Sequence, residues 1–216
     1  MNCAKSHERR GHLAASPRLF RNPLLDRLSR VHPATPFLLY LPAIGILLWR
    51  AGMPFPVRFV MLAFASGYLM WTLVEYFGHR FVFHIRPKNA LGRRIQFLIH
   101  GVHHKYPNDP LRLVMPPLMS VPIMAAAFVV FRFAAGSATA LPAMAGFIAG
   151  YLAYDGLHFY LHHASATTAL GRYLQQRHLH HHFRDESTWF GVSAWWWDGV
   201  FATRPLRAPG VGRIHS

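Results

Sequence analysis

Between Pro36 and His163 the sequence holds four apolar stretches, and these limit what the chain can become more than any other feature. They run over Pro36–Met53 (with Pro42 inside), Val57–Phe77, Leu113–Phe133 and Ala140–His163. A helix needs ~20 apolar residues to cross the hydrocarbon of a bilayer. Each stretch therefore reads as a membrane span, the first a little short. The links around Pro54 and Pro56 and at "AAGSAT" are too short to hold a domain, so the spans pair into two helical hairpins. The expected fold is an all-α integral membrane protein with four transmembrane helices.

Charge supports that reading and excludes another. The chain carries 23 Lys and Arg against eight acidic residues, a formal net charge of +15. In a soluble domain such a balance points to nucleic acid. Here the basic residues fall into three blocks, Lys5–Arg30, Arg80–Arg112 and Arg172–Arg213, with apolar runs between them. That alternation belongs to a membrane protein, and a nucleic-acid partner is not expected. A soluble all-α protein with unusually apolar helices is the alternative. By the positive-inside rule the three basic segments share the cytoplasmic side. The expected divisions are a basic cytosolic N-terminal tail over 1–35, a membrane domain over 36–204 and a C-terminal tail over 205–216. The first 35 residues contain no apolar signal-like segment. The expected location is multi-pass in a membrane, the inner membrane of a bacterium or the endoplasmic reticulum of a eukaryote. Cys3 is the only cysteine, which excludes an intramolecular disulfide and a multi-thiolate metal site.

Twelve of the 16 histidines lie in or beside the two large segments assigned to the cytoplasmic side. Their spacing is chemical. Residues three and four apart share a helix face, because each step turns ~100°. In "HGVHH", His100, His103 and His104 share a face. "HFYLHH" sets His158 and His162 one turn apart, and "HLHHHF" repeats the first pattern with His178, His181 and His182. His79 and His84 of "HRFVFH" are five apart, ~140° off each other on an ideal helix; both still reach one centre if the helix ends or unwinds there, and Pro87 lies just beyond. His180 lies ~200° from His178 and is expected to point away. Imidazole suits iron, zinc, copper and nickel. Ten candidate ligands exceed one tetrahedral site and suffice for two metals with about five ligands each.

Carboxylates are scarce near these boxes. Asp155, three residues before His158, either hydrogen-bonds a ligating imidazole or pairs with a buried Arg. Glu75, one turn before His79 in an apolar stretch, poses the same choice, and a carboxylate at membrane depth is a functional candidate by default. Tyr154, beside Asp155, is a further candidate. Arg80, Lys105 and Arg112 are candidates to hold an anionic head group, or simply to contact anionic lipid. Trp189, Trp195, Trp196 and Trp197 suit the membrane interface, or the lining of a substrate channel.

These boxes and their flanks, "HRFVFH", "HGVHHKYPNDPLRLVMPP", "YDGLHFYLHH" and "FGVSAWWWDGVF", resemble the fatty acid hydroxylase / sterol desaturase superfamily, and within it the fatty acid 2-hydroxylase branch. The resemblance runs from about Leu73 to Thr203. It implies a cytosolic helical cap over four transmembrane helices, a histidine-held dimetal centre, and O2-dependent hydroxylation at carbon 2 of a long-chain acyl group. The pattern carries over to His79, His84, His100, His103, His104, His158, His162, His178, His181 and His182; His163 and His180 match no ligand position. The implied cofactors are two iron ions, with zinc possible by substitution, and O2 as co-substrate. Many eukaryotic members carry a cytochrome-b5-like domain, whereas this sequence has no His-Pro-Gly-Gly haem motif. Electrons are then expected from a separate partner, cytochrome-b5-like or ferredoxin-like. Hydroxylation or desaturation of a sterol, carotenoid or other lipid is the alternative within this chemistry, and a non-catalytic zinc-binding membrane protein is the alternative outside it.

Overall fold

The computed structural model describes residues 11–52 and 55–205, and every regular element among them is helical. In chain order these are α1 (Pro23–Leu28), α2 (Thr35–Gly52), α3 (Val57–Phe77), α4 (Ala90–Gln96), α5 (Val102–Lys105), α6 (Pro117–His163), α7 (Ala169–Phe183) and α8 (Trp197–Val200). Two π-helical turns intervene. Gly78–Phe83 prolongs α3, and Phe97–Gly101 joins α4 to α5.

Among the described residues three helices are long and apolar enough to cross a membrane: α2, α3 with its π-helical extension, and α6. The sequence predicts four spans, and the difference lies in α6, which joins the third and fourth stretches. Gly136 breaks its geometry at φ 75°, ψ 171°, a region essentially restricted to glycine. Phe131 and Phe147 flank this break with ring centroids 5.6 Å apart. Sixteen residues of straight helix would separate them by ~24 Å. The chain therefore doubles back at Gly136, and α6 is two arms packed on each other.

α3 and α6 form the largest helix–helix interface, because small residues let their backbones meet. A Cβ on Gly67 would lie 1.8 Å from the Ala143 carbonyl oxygen, and one on Gly146 would lie 1.9 Å from that of Phe64. Reciprocal glycines of this kind permit close helix packing in lipid, where dispersion replaces the hydrophobic effect. Next to them Trp71 sets its ring edge-on to Phe147 and Tyr151, and Tyr40 of α2 meets Tyr151 in the same way. The Tyr40 hydroxyl donates to Ser120 Oγ at 2.9 Å. The outer faces stay apolar and uncovered, with Leu38, Leu62 and Phe133 all more than 70% exposed. Less than a quarter of the most apolar stretch of each helix is buried, so these faces require hydrocarbon around them.

The division at residue 35 does not correspond to a change in packing. Residues 12–31 are bonded to the loop after α5. Leu13 O accepts from Asn108 N at 3.1 Å, and Val31 N donates to Leu111 O at 2.7 Å. Arg112 donates to Asp26 at 3.3 Å and to Pro17 O. α1 starts at an Asn22 cap with proline at its first position, a favoured start. The anchoring of this segment rests on single polar pairs, which net charge does not reveal. Of the C-terminal tail, residues 206–216 lie outside the described residues, as does His7 at the other end.

Candidate metal centre

The site is built where four helices end. The π-helical extension of α3 resolves the awkward five-residue spacing of the first box. A π-helix bonds i to i+5, and His84 N donates to His79 O at 3.3 Å. That turn places both imidazoles on one side without ending the helix, and their Nε2 atoms lie 3.2 Å apart. His100 sits in the second π-helical turn, and His103 and His104 follow in α5. His158 and His162 close α6, and His178, His181 and His182 close α7.

These ten residues form two groups of five. The first is His79, His84, His100, His104 and His181; the second is His103, His158, His162, His178 and His182. Within each group one ring nitrogen from every residue lies within 4.8 Å of all the others. Each HxxHH box is split between the groups, His103 leaving His100 and His104, and His181 leaving His178 and His182. His163 and His180 belong to neither. His163 is exposed, stacked on Phe159, and bonds its carbonyl through Nδ1 at 3.1 Å.

The donor set fits a cation in each group. Facing Nε2 atoms lie 3.0 Å apart between His104 and His100, 3.0 Å between His181 and His84, 3.1 Å between His103 and His182, and 2.7 Å between His178 and His162. Two nitrogens bound to one ion at ~2.1 Å and at right angles are about 3.0 Å apart. Both ring nitrogens of buried His158 lack a hydrogen-bond partner, as do the Nδ1 atoms of His162, His178 and His182. Such orphaned polar atoms require an explanation, and a bound cation supplies one for one of the two ring nitrogens of His158. Burial first, and neighbouring charge second, keeps these rings neutral: His84 is pushed down to about 3 and His104 to about 2. His181 falls to about 4 through burial, opposed in part by its bond to a backbone carbonyl. Burial also holds His100, His103, His178 and His182 well below the usual imidazole range. Neutral imidazole is the form that binds metal.

The groups differ in what stands behind them. His79 Nδ1 donates to Phe190 O at 2.6 Å, and His181 Nδ1 donates to Thr188 O at 2.7 Å. A carbonyl only accepts, so each bond places the proton on Nδ1 and turns the Nε2 lone pair inward. The two carbonyls flank Trp189, whose φ of 61° is left-handed. An aromatic residue there costs of order 1–3 kcal/mol, so the surrounding structure must hold the turn. Asp198 does so. Its Oδ1 accepts from Phe190 N (2.8 Å) and Thr203 Oγ1 (2.7 Å); its Oδ2 accepts from Gly191 N (3.1 Å) and Arg177 Nη2 (3.2 Å). The Arg177 guanidinium lies 3.7 Å from the Trp189 ring centre. Glu75 grips the same segment, accepting from Val192 N at 2.9 Å, Ser193 N at 2.8 Å and the Ser193 hydroxyl. It bonds neither an Arg nor a His among the described residues, so neither of its expected partners is present. Asp198 and Arg177 escaped the sequence reading. The available signal was an acidic residue within an aromatic run, in a chain with only eight acidic residues.

The remaining candidates divide by what they touch. Asp155 is buried without an ion pair among the described residues, and its Oδ2 has no partner. With Tyr154 it lines an apolar cavity of about 190 Å³ that reaches His100 of the first group and His103 and His158 of the second. Arg112 lines this cavity too, but its guanidinium is committed to Asp26 and Pro17. Arg80 donates to the Tyr76 hydroxyl at 3.2 Å, and Lys105 is exposed. None of the four tryptophans lines the cavity among the described residues. Trp189 is buried, and Trp197 donates to Thr72 Oγ1 at 3.1 Å.

Comparison with known proteins agrees with this geometry. A fatty acid hydroxylase family model matches residues 64–203, a segment that contains all ten histidines. The chain belongs to the fatty acid hydroxylase family. A dihydroceramide fatty acyl 2-hydroxylase of Arabidopsis thaliana is 37% identical over 193 residues, covering 88% of this chain and 80% of that protein. The ceramide very long chain fatty acid hydroxylase of Saccharomyces cerevisiae is 41% identical over 149 residues, but these are 67% of this chain and 38% of the yeast protein. A solved structure of full-length scs7p, in which only the hydroxylase domain is visible, superposes with a TM-score of 0.82 at 35% identity, covering 88% of this chain and 73% of that one.

Proposed function

We propose that this protein is a membrane-bound, O2-dependent hydroxylase that acts at carbon 2 of long-chain fatty acids or of the acyl chains of sphingolipids. The observation that carries this reading is one apolar cavity touching histidines of both five-imidazole groups. The relatives named above, a dihydroceramide fatty acyl 2-hydroxylase and a ceramide very long chain fatty acid hydroxylase, favour this substrate over a sterol or carotenoid. We assign the ten histidines as ligands of two iron ions, five to each. Such a pair, when bound, supplies the activation of O2 that side-chain acids and bases cannot. Electrons then come from a separate donor, cytochrome-b5-like or ferredoxin-like. The two arms of α6, with α2 and α3, make four spans in two hairpins, and the histidine-bearing segments form a cap on the cytoplasmic side, where the Lys and Arg count is highest.

The chain's own part is positioning. The cavity wall holds the alkyl chain by burial and excludes water from the acyl carbons. Tyr154 and Asp155 stand beside His158 in that wall, where the free Asp155 Oδ2 is placed to accept a hydrogen bond from a polar group near carbon 2. Exposed Lys105 is left to meet an anionic head group, since Arg112 is engaged with Asp26 and Arg80 with the Tyr76 hydroxyl.

The test is lipid mass spectrometry on cells expressing the protein under isotopically labelled O2. The expected product is a 2-hydroxy acyl species carrying the label, absent with His181→Ala and absent after iron chelation until iron is restored. Full product from His181→Ala expressed at normal level sinks the ligand assignment. Binding of zinc with no labelled product under any condition favours the non-catalytic alternative.

A further inference from the structure

The cavity that meets the histidines is not enclosed by the family segment alone. Part of its wall is Leu19, Phe20, Leu25 and Leu28, on or just before α1. These residues lie outside the stretch matched by the family model, which starts at residue 64.

The lining runs from surface to interior. Leu25, Leu28 and Leu118 line the cavity while remaining 44%, 49% and 70% exposed. His100, His103 and His158 line the same cavity and are almost fully buried. One passage thus joins an exterior rim to both histidine groups. The rim is three leucines, and Leu118 opens α6, whose apolar outer face requires hydrocarbon around it. A rim of this chemistry repels a hydrated carboxylate or head group and admits an alkyl chain.

The segment that makes the rim is fixed at defined points. Asp26, buried between α1 and the 106–116 loop, accepts from Leu19 N at 2.7 Å, Arg30 Nη2 at 3.2 Å and Arg112 Nη2 at 3.3 Å. Arg94 Nη2 donates to Leu19 O at 2.6 Å. Asp26 thus ties the leucines of α1 to Arg112, itself part of the cavity wall.

We propose that residues 19–28, with Leu118, form the portal through which an acyl chain passes from the bilayer to the histidine centre, with Asp26 and Arg112 as the latch that sets its width. This rests on the hydroxylase reading for the fate of the acyl chain, but not for its capture. The test uses the full-length protein in phosphatidylcholine vesicles containing a long-chain fatty acid with a photoreactive diazirine in its tail. Irradiation followed by peptide mapping is expected to place label both within residues 19–28 and within 113–119. Leu25→Trp combined with Leu28→Trp narrows the rim and is expected to cut labelling of 113–119 roughly tenfold, and kcat/KM for membrane acyl lipid in parallel. If that pair does not accumulate, Leu25→Ala with Leu28→Ala widens the rim and is expected to raise labelling of 113–119. Label at 113–119 with none in 19–28 overturns the portal. So does unchanged labelling in whichever pair is recovered. Labelling needs no turnover, so a protein that captures the probe at the portal yet forms no 2-hydroxy product when iron, O2 and a reducing system are supplied refutes the hydroxylase reading and leaves the portal standing.

Discussion

Asp198→Asn tests whether the first histidine group is held from behind. The substitution keeps the shape of the side chain and leaves no cavity, so its effect is electrostatic. Each carboxylate oxygen of Asp198 accepts from two donors. An amide has one accepting oxygen, and its NH2 must face the other pair, setting donor against donor in either orientation. One orientation opposes the amide to Gly191 N and Arg177, the other to Phe190 N and Thr203. Either way Arg177, 5% exposed, loses its counter-charge. Breaking a buried pair in this manner costs about 3–5 kcal/mol. At roughly 2–4 °C per kcal/mol for a chain of this size, the melting point should fall by about 6–20 °C. The local consequence is more specific. The turn at Trp189 relaxes, and Thr188 O and Phe190 O leave His181 and His79. Loss of such a bond behind a ligating histidine weakens metal affinity ~10–100-fold. Purified protein is melted by following tryptophan fluorescence, and metal per chain is measured after dialysis against a weak chelator. One of two metal equivalents should leave first, and at lower chelator than in the parent protein. A melting point within about 2 °C of the parent, with both equivalents retained, refutes the reasoning.

Three further outcomes follow from the same geometry. His180→Ala and His163→Ala should leave metal content unchanged, since neither residue joins a group; loss of metal in either refutes the division. Gly146→Ala drives a Cβ to within 1.9 Å of the Phe64 carbonyl oxygen. Neither backbone can yield cheaply, so folded protein recovered on size-exclusion should drop several-fold, and normal recovery contradicts the close approach of α3 and α6. Metal-free protein should lose stability in acid. His181, His84 and His104 bind a proton near pH 6.5 when unfolded, but only near 4, 3 and 2 when folded. The unfolded chain therefore takes up protons first, and stability is complete above about 6.5 and falls as pH drops from there toward 4 and below. Melting points should be level between pH 8 and 7 and lower at pH 5; a rise on acidification contradicts the buried, neutral state.

The histidine boxes were legible because helical spacing is local. A separation of three or four residues fixes a shared face whatever the rest of the chain does. The pairing of boxes across space was not legible, and the split of each HxxHH box shows why. His103 and His104 stand ~100° apart on one helix, so both turn inward but toward different neighbours. Only the approach of α6 and α7 decides which neighbour each one meets. The π-helical turn at Gly78–Phe83 lay beyond reach for a related reason. Spacing on an α-helix predicts that His79 and His84 diverge, and one widened turn brings them together.

Asp26 and Asp198 escaped for a different reason. Each joins segments far apart in sequence, through a few hydrogen bonds, with no repeated spacing to betray it. Asp26 binds α1 to Arg112, 86 residues away, and Asp198 binds the Trp189 turn to α7. In a chain of +15 charge the basic residues suggested lipid contacts, yet the two acidic residues set the places of Arg112 and Arg177. Scarcity is the usable signal. With eight acidic residues against 23 basic ones, electrostatics does not require any of them to be buried, and a buried carboxylate costs several kcal/mol unless it is paired or hydrogen-bonded. Each one buried here therefore marks a position where the fold needs an anchor: Glu75 and Asp198 under the turn behind His79 and His181, Asp26 at the cavity rim. Among the described residues Asp155 is the one carboxylate in the cavity wall, and its Oδ2 has no hydrogen-bond partner, so its retention is best explained by what the cavity holds.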